Sequence, residues 1–303
     1  MPVIVFGEGM IELSAVRDGA ARVAYGGDAL NTAIYLAREN IDVEFVSALG
    51  DDSFSRELCL AWAGEGLQLG RCLICAGGKP GIYAISVDEQ GERSFTYWRL
   101  ESAARRFFGL PGAPAAIAFM KQAPLFYCSG ITLSIFDDAG RGEILGIMDA
   151  VRANGGDVAF DINYRPKGWP AGPAAARDAI NSALERASVC FSSAEDWTLL
   201  YGPAAPEAIA AVLRAKGCRE AIVKDGPRGC FLSTAQTTQW IAPEAVVNPV
   251  DTTGAGDSFN AGYLAARRRG AAPPEACRAG NNLARKVILQ PGAIAPSDET
   301  PIA

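Results

Sequence analysis

The sequence predicts a three-layer α/β/α main domain with a mostly parallel sheet, plus a small β-sheet lid. Apolar strand segments alternate with amphipathic helix segments along most of the chain, which is typical of a parallel sheet covered by helices on both faces. Two stretches, 11–26 and 72–99, break this alternation with short strands and turns. The length of 303 residues suits one large domain with a modest appendage.

The predicted elements follow one another from the amino terminus. The run PVIVFGEG opens as a buried strand, and ALNTAIYLAREN has helical spacing with Asp28 at the N-cap position. The strand VEFVSALG leads into the helix DSFSRELCLAWAGEG. The alternation continues through the segments APLFYCSG, EILGIMDAVRANGG, DVAFDIN, AAARDAINSALERA, SVCFSS and EAIVKDG. The last two predicted helices are AGDSFNAGYLAARRRG and PEACRAGNNLARKVIL.

The two interrupting stretches define the predicted domain division. The main domain would comprise residues 1–10, 27–71 and 100–303, and the lid would comprise residues 11–26 and 72–99. We expect the lid strands to form an antiparallel sheet, with a hairpin turn at 89–92. A flap over the ends of the main strands would exclude water from a bound substrate.

Composition narrows the class of partner. The formal net charge of −6 disfavours nucleic acid or an anionic membrane as the main partner. No apolar run reaches the roughly 18 residues that a membrane span requires. The eight cysteines are scattered, and Cys72 and Cys75 form a lone C-x-x-C without a histidine. We therefore expect structural thiols and a cytoplasmic protein.

The chain contains no histidine. A Ser-His-Asp triad and most zinc hydrolase sites are therefore excluded. If the protein catalyses a proton transfer, its base is a carboxylate, a lysine, a tyrosine or a cysteine.

The run DTTGAGDSFNAGY begins at Asp251 and leads into a helix. Gly254 and Gly256 would adopt positive φ and let a ligand approach the backbone. The first helical N–H groups and the helix dipole would then bind phosphate oxygens. A simple capped helix with Asp257 in its first turn is the alternative, but it leaves the second glycine unexplained.

Four further segments could bind ligands. KDGPRG, which starts at Lys224, is either a nucleotide loop or an ordinary hairpin. YGGDALNTA could bind sugar hydroxyls through Asn31, or could be a plain helix start. DINYRPKGW ends a strand at the edge where parallel sheets bind ligands. In FTYWRLESAA, Tyr97 and Arg99 share one face of a strand. GEGMIE lacks the third glycine of a dinucleotide fingerprint, and no Walker A motif occurs.

The motifs GGDALN, DINYRP, KDGPRG and DTTGAGDSFNAGY occur in the order and spacing of the ribokinase-like (PfkB) sugar kinases, which the chain resembles along essentially its whole length. The strings YWRxxxAA, SGITLSI and RANGGDVAFDINYRPKGW look most like those of members that act on 2-keto-3-deoxygluconate. The resemblance implies an ATP-dependent sugar-acid kinase that forms the 6-phosphate, with Mg²⁺ and, in some members, K⁺. Fructokinase or ribokinase activity is the first alternative, and a non-catalytic sugar or nucleotide sensor is the second.

The resemblance also implies roles for particular residues. Asp257 is similar to the catalytic base, although the helix dipole would stabilise its ionised form. The anion hole would be Gly254, Ala255 and Gly256. The ATP site would be Asn163, Tyr164, Arg165, Ser193, Lys224, Asp225, Gly226 and Gly229. The sugar acid would contact Gly27, Asp28, Asn31, Tyr83, Tyr97, Arg99, Arg165 and Asp257.

The metal ligands are also implied only by the resemblance. Asp251 and Thr253 resemble ligands of a monovalent cation. The family's Asn-x-x-Glu motif, which supports Mg²⁺ through water, appears here with Ser193 and Asp196 in place of its two polar residues. The expected partners are small molecules, together with a second copy of the chain that would pair through the lid to form a homodimer or a higher homo-oligomer.

Overall fold

The structure is a computed structural model that describes residues 1–17, 20–87 and 93–296. Its largest element is a nine-stranded sheet. The strands of the protein are β1 (Val3–Phe6), β2 (Met10–Arg17), β3 (Ala20–Gly26), β4 (Val43–Leu49), β5 (Cys72–Ile74), β6 (Gly81–Val87), β7 (Arg93–Trp98), β8 (Leu125–Ser129), β9 (Asp157–Asp161), β10 (Val189–Ser193), β11 (Glu220–Lys224), β12 (Cys230–Thr234) and β13 (Thr238–Ile241). The large sheet has the order β13-β12-β11-β10-β9-β8-β1-β4-β5. Neighbours from β11 to β5 are parallel, while β12 and β13 pair antiparallel at one edge.

Helices cover both faces of this sheet. They are α1 (Asp28–Arg38), α2 (Ser53–Gly64), α3 (Ala113–Met120), α4 (Gly130–Ser134), α5 (Asp138–Ala153), α6 (Gly172–Leu184), α7 (Ala194–Tyr201), α8 (Pro206–Ala215), α9 (Ala255–Arg268) and α10 (Pro273–Val287). Side chains of α1, α2, α9 and α10 form one hydrophobic cluster, and those of α3 and α5 to α8 form another. Strand β1 contributes Val3 and Val5 to the first cluster and Ile4 and Phe6 to the second, because alternate side chains of a strand point to opposite faces. The predicted three-layer fold is confirmed.

The small sheet has the order β3-β2-β6-β7. The prediction of a fully antiparallel lid was wrong, since β2 and β6 run parallel. They belong to separate insertions, so a long crossover joins them, as parallel neighbours require. The predicted lid boundary at residue 72 also differs from the structure. β5 pairs with β4 at the edge of the large sheet, so the second insertion enters the small sheet only at Gly81. The predicted turn at 89–92 lies outside the described residues.

Two of the cysteines are paired, because Cys190 at β10 and Cys218 before β11 form a disulfide. Cys72 and Cys75 are free, as predicted. Within residues 1–17, 20–87 and 93–296, no group of three or more His, Cys, Asp or Glu side chains could hold a metal ion. None of the helices in these residues has the length and apolar character needed to cross a bilayer.

Trp62 offers a test of the packing between α2 and the sheet. Its ring is fully buried and meets Phe45 edge to face, with 5.4 Å between ring centroids. We expect Trp62→Ala to lower the free energy of unfolding by about 3–5 kcal/mol, because it leaves a large cavity. Leu60 on the same helix is 74% exposed, so Leu60→Ala should change that free energy by no more than about 0.5 kcal/mol. Chemical denaturation measures both values, and equal losses in the two variants would contradict the packing described here.

Candidate active site

The polar side chains of the site gather where the parallel strands end. In open α/β sheets this edge forms the ligand crevice. Five polar residues lie at or just after the carboxyl ends of parallel strands, namely Glu8, Ser129, Asp161, Ser193 and Lys224. The amino terminus of α9 and the small sheet lie next to this edge, since α9 packs on α1 and β3 leads directly into α1.

The N-cap of α9, Gly254, is a glycine for a steric reason. Gly254 has a φ of 76°, and a Cβ there would lie 2.6 Å from the carbonyl oxygen of Ala293. The positive φ predicted for Gly256 was wrong, because this residue is already helical. Its missing side chain instead leaves room for the Lys224 Nζ, which would lie 3.3 Å from a Cβ at this position. The amino terminus of α9 therefore presents the backbone N–H groups of Gly254 and Gly256 beside a lysine ammonium, while the Ala255 N–H donates to the Thr252 carbonyl oxygen at 3.2 Å.

Asp257 occupies the first turn of α9 and is buried. Its Oδ2 accepts a hydrogen bond of 2.8 Å from the Asn31 Nδ2. Burial raises the pKa of Asp257 to about 7, with a further contribution from the negative charge of Asp28. The helix dipole is expected to stabilise the ionised form, whereas burial and the charge of Asp28 raise the pKa. Such a carboxylate can accept a proton near neutral pH.

Asp28 is the first residue of α1 and not its N-cap, which corrects the prediction. The N-cap is Gly27, and no side chain caps this helix end. The Asp28 carboxylate instead accepts hydrogen bonds from the Ser129 hydroxyl and, at 3.1 Å, from the Asn163 Nδ2. Burial also raises the pKa of Asp28. Asn163 reaches this position with a φ of 29°, which is rare for a residue with a side chain.

Lys224 is the last residue of β11, and its side chain extends into the site. Its Nζ donates to the Asp161 Oδ2 at 2.9 Å and to the Asn260 Oδ1 at 3.0 Å. The Asn260 Nδ2 donates in turn to the same Asp161 oxygen at 2.6 Å and to the Tyr127 hydroxyl at 3.1 Å. This network fixes the ammonium group behind the amino terminus of α9.

The prediction missed Asp161 and Asn260. Two signals could have identified them. Asp161 ends a parallel strand, and Asn260 lies three residues after Asp257, on the same face of a helix.

The turn after Lys224 has the predicted tight geometry. Gly226 and Gly229 have φ values of 51° and 87°, and the Asp225 N–H donates to the Gly229 carbonyl at 2.8 Å. Asp225 also forms an ion pair with Arg228, whose guanidinium lies 5.4 Å from the centroid of the Trp240 ring. The role of this turn in nucleotide binding stays a prediction.

Arg165 is available to ligands, while the ring of its neighbour Tyr164 is not. The Arg165 Nη1 lies 2.5 Å from the Asp196 Oδ1, and its side chain is 52% exposed. Tyr164 packs in the hydrophobic core, which leaves its backbone for the predicted contact with a nucleotide. The Ser193 hydroxyl caps α7 by accepting the Asp196 N–H at 2.9 Å. The role of Asp196 towards Mg²⁺ stays a prediction.

The lid contributes an aromatic and charged wall. The Tyr83 hydroxyl donates to the Glu12 Oε2 at 2.5 Å, and the rings of Tyr83 and Tyr97 lie 6.0 Å apart between centroids. Arg99 lies 5.9 Å from the centroid of the Tyr97 ring and forms an ion pair with the buried Glu8. The sequence analysis named Tyr83, Tyr97 and Arg99 but missed both glutamates. Glu8 could have been found because it closely follows the first strand.

Asp251 anchors the segment that precedes α9. Its Oδ1 accepts the Thr253 N–H at 2.8 Å, and its Oδ2 accepts the Gly292 N–H at 2.7 Å. The carboxylate thus ties the start of the glycine-rich run to the segment that follows α10. The proposed role of Asp251 and Thr253 at a monovalent cation is untested and stays a prediction.

The geometry defines the class of protein. A buried carboxylate with a pKa near neutrality, a bare helix terminus for an anion and an adjacent lysine are suited to phosphoryl transfer to an alcohol. The protein is thus a kinase, a phosphotransferase with an alcohol acceptor. The chain belongs to the pfkB family of carbohydrate kinases, whose family model matches residues 2–300.

Known proteins resemble the chain over nearly its full length. A 2-dehydro-3-deoxygluconokinase of Dickeya dadantii is 37% identical over 99% of this chain and 98% of its own. The crystal structure of a PfkB protein from Polaromonas sp. JS666 superposes with a TM-score of 0.85 at 29% identity, covering 97% of each chain. Aminoimidazole riboside kinase from Salmonella enterica, solved with aminoimidazole riboside and an ATP analog, gives a TM-score of 0.81 at 26% identity, covering 96% of this chain and 94% of its own.

The charge coupling of Asp28 to Asp257 predicts the pH dependence of the rate. Because the pKa of Asp257 is raised to about 7, kcat/KM should fall as the pH drops below 7 and protonates the base. Removing the negative charge in Asp28→Asn should lower this pKa and move the acid limb of the profile by at least about half a pH unit towards lower pH. The profile of kcat/KM against pH, at saturating ATP, measures the shift. Glu57→Gln on the exposed face of α2 is the control, and an unmoved limb in Asp28→Asn would contradict the coupling.

Proposed function

We propose that the protein is an ATP-dependent sugar-acid kinase that phosphorylates 2-keto-3-deoxygluconate, also named 2-dehydro-3-deoxygluconate, to its 6-phosphate. The observation that carries this proposal is the pair of arginines on the acceptor side, Arg99 and Arg165. Both charges act on Tyr97 of the lid, and Arg165 also interacts electrostatically with Asp257. A planar guanidinium is well suited to a carboxylate, which a sugar acid has and a neutral ketose lacks. The name of the relative from Dickeya dadantii supports the same substrate.

The acceptor hydroxyl would lie against Asp257. As the new O–P bond forms, the bond from the γ-phosphorus to the bridging oxygen of ATP breaks and ADP leaves. The hydroxyl proton passes to the Asp257 carboxylate, which the hydrogen bond from Asn31 holds in place. The transition state of phosphoryl transfer is loose, so the proton is needed only late in the reaction. A carboxylate with a pKa of about 7 meets that demand without a histidine.

The transferring phosphoryl group would lie at the amino terminus of α9. Backbone N–H groups of Gly254, Ala255 and Gly256 form the proposed anion hole. The Lys224 ammonium, held by Asp161 and Asn260, adds a fixed positive charge at the same point. Preorganised charges of this kind stabilise the developing negative charge and need no rearrangement during the reaction.

The nucleotide would bind along the turn from Asp225 to Gly229 and towards Arg165. Mg²⁺ usually binds through one or two carboxylates together with phosphates and water. The described residues fit that pattern. They contain no group of three or more side chains that could hold a metal ion alone, but they offer Asp196 and Asp161. The buried Asp161 Oδ1 accepts no hydrogen bond within the described chain. When bound with ATP, the ion would neutralise phosphate charge. A K⁺ site at Asp251 and Thr253 remains part of the proposal.

Two further properties belong to the proposal. Val23 and Trp98 of the small sheet are 61% and 58% exposed, which supports a homodimer or higher homo-oligomer through the lid. A cytoplasmic location remains a prediction, and the disulfide between Cys190 and Cys218 weakens the argument from reduced cysteines.

A substrate panel tests the proposed function. ADP release is measured with 2-keto-3-deoxygluconate, fructose and ribose as acceptors. We expect kcat/KM for the sugar acid to exceed the other two by at least about 10²-fold, since the neutral sugars lack the carboxylate that the two arginines would bind. A preference for fructose or ribose would favour the alternative activities of the family, and no turnover with any acceptor would favour a sensor.

Replacement of the proposed base gives a separate test. Asp257→Asn should bind nucleotide with unchanged affinity but lose about 10²–10⁴-fold in kcat, because the amide cannot accept the proton. ADP release gives kcat, and calorimetric titration with ATP gives the affinity. Asp178→Asn on the outer face of α6 should retain full activity. A kcat of Asp257→Asn within tenfold of the wild type would remove Asp257 from this role.

A further inference from the structure

Glu8 is a buried carboxylate with no role in the proposed chemistry. It closely follows β1, and it is 3% exposed. Its carboxylate forms an ion pair with the Arg99 Nη2. Within the described residues, neither carboxylate oxygen has a hydrogen-bond partner beyond this ion pair. Burying a charge with a single partner is costly, so Glu8 is poorly explained as a stabilising residue.

The surrounding backbone is shaped to hold Glu8. A Cβ at Gly81 would lie 2.8 Å from the Glu8 Oε1, and a Cβ at Gly27 would lie 2.3 Å from its carbonyl oxygen. Gly81 begins β6 of the small sheet, and Gly27 joins β3 to α1. Glu8 therefore lies at the junction of the main sheet and the lid, enclosed by glycines of two lid connections.

Arg99 lies between Glu8 and the acceptor side of the site. It directly follows β7, its side chain is 16% exposed, and its guanidinium lies near the Tyr97 ring. A guanidinium has five N–H donors in a rigid plane. Glu8 contacts Nη2 from the buried side, and Nε is also buried without a hydrogen-bond partner within the described residues, so Glu8 is the group that orients this end of the guanidinium.

We propose that Glu8 is a positioning residue for substrate recognition. It holds the Arg99 guanidinium in the orientation in which it binds the carboxylate of a sugar acid. The inference rests on the proposed function, because it concerns the carboxylate of that substrate. A preoriented arginine loses less side-chain entropy when it binds a carboxylate than a freely rotating one does.

Arg105 is a second cation near Glu8. The charges of Glu8 and Arg99 both act on it, as do those of Arg141 and Asp137. Within the described residues, Arg99 is the cation that forms an ion pair with Glu8.

Kinetics of Glu8→Gln test the inference. The amide keeps the size of the side chain but removes the charge that orients Arg99. We expect KM for 2-keto-3-deoxygluconate to rise at least about fivefold, with kcat and KM for ATP changed less than about twofold, because the loss concerns substrate binding alone. Glu8→Asp keeps the charge on a shorter arm and should show a smaller rise in KM. Glu57→Gln is the surface control.

A double-mutant cycle with Arg99→Ala separates positioning from a general structural role. If Glu8 acts through Arg99, adding Glu8→Gln to Arg99→Ala should raise KM by less than about twofold further. If Glu8→Gln raised KM by the same factor in the wild-type protein and in Arg99→Ala, the inference would be overturned. An unchanged KM in Glu8→Gln, or an equal loss of kcat and of ATP affinity, would also overturn it.

The two proposals fail in distinguishable ways. If the wild-type protein phosphorylates the sugar acid and Glu8→Gln has an unchanged KM for it, only the role of Glu8 is overturned. A wild-type protein that does not phosphorylate the sugar acid overturns both. If Glu8→Gln does not fold, as shown by circular dichroism, Glu8→Asp in both Arg99 backgrounds decides the question by the same comparison.

Discussion

Asp161 and Asp257 are buried at the carboxyl edge of the sheet, Asp28 is half-buried beside them, and the negative charges of the three repel one another. The site is arranged to make this repulsion tolerable. Three asparagines, Asn31, Asn163 and Asn260, each donate a hydrogen bond to one of the carboxylates, while Lys224 is a cation that contacts Asp161. The remaining repulsion and the burial keep the pKa of Asp257 near neutrality, and the basicity needed for the reaction follows from that.

In the proposed mechanism, the two chemical functions of the site lie on different parts of the fold. The phosphoryl group would bind at the large sheet and α9, where Gly254, Gly256 and Lys224 lie together. The sugar acid would bind at the small sheet, where Tyr97 and Arg99 lie together. Proton transfer would then rely on the main domain, while substrate choice would rely on an inserted element that can vary without disturbing the core.

Local patterns predicted most of the fold and the centre of the site. Strand–helix alternation indicated the layers, and the glycine-rich run indicated the start of α9, because both are encoded by neighbouring residues. Contacts between segments that lie far apart in the chain could not be predicted from such local patterns. The burial of Tyr164, the pairing of β5 with β4 and the position of the Lys224 ammonium each depend on segments far apart in the sequence. Glu8, Asp161 and Asn260 were missed for the same reason, since each gains its role from a partner on another element.

The raised pKa of Asp257 also links folding to the uptake of a proton. In the unfolded chain this carboxyl has its ordinary pKa of about 4, whereas in the folded protein the pKa is about 7. Between those values the folded state binds more protons than the unfolded state, so this group contributes stability at low pH that is lost as the pH rises through 7. Ionisation of Asp257 therefore lowers the stability of the folded state, and the group favours that state most at a pH where the proposed base would be protonated and inactive.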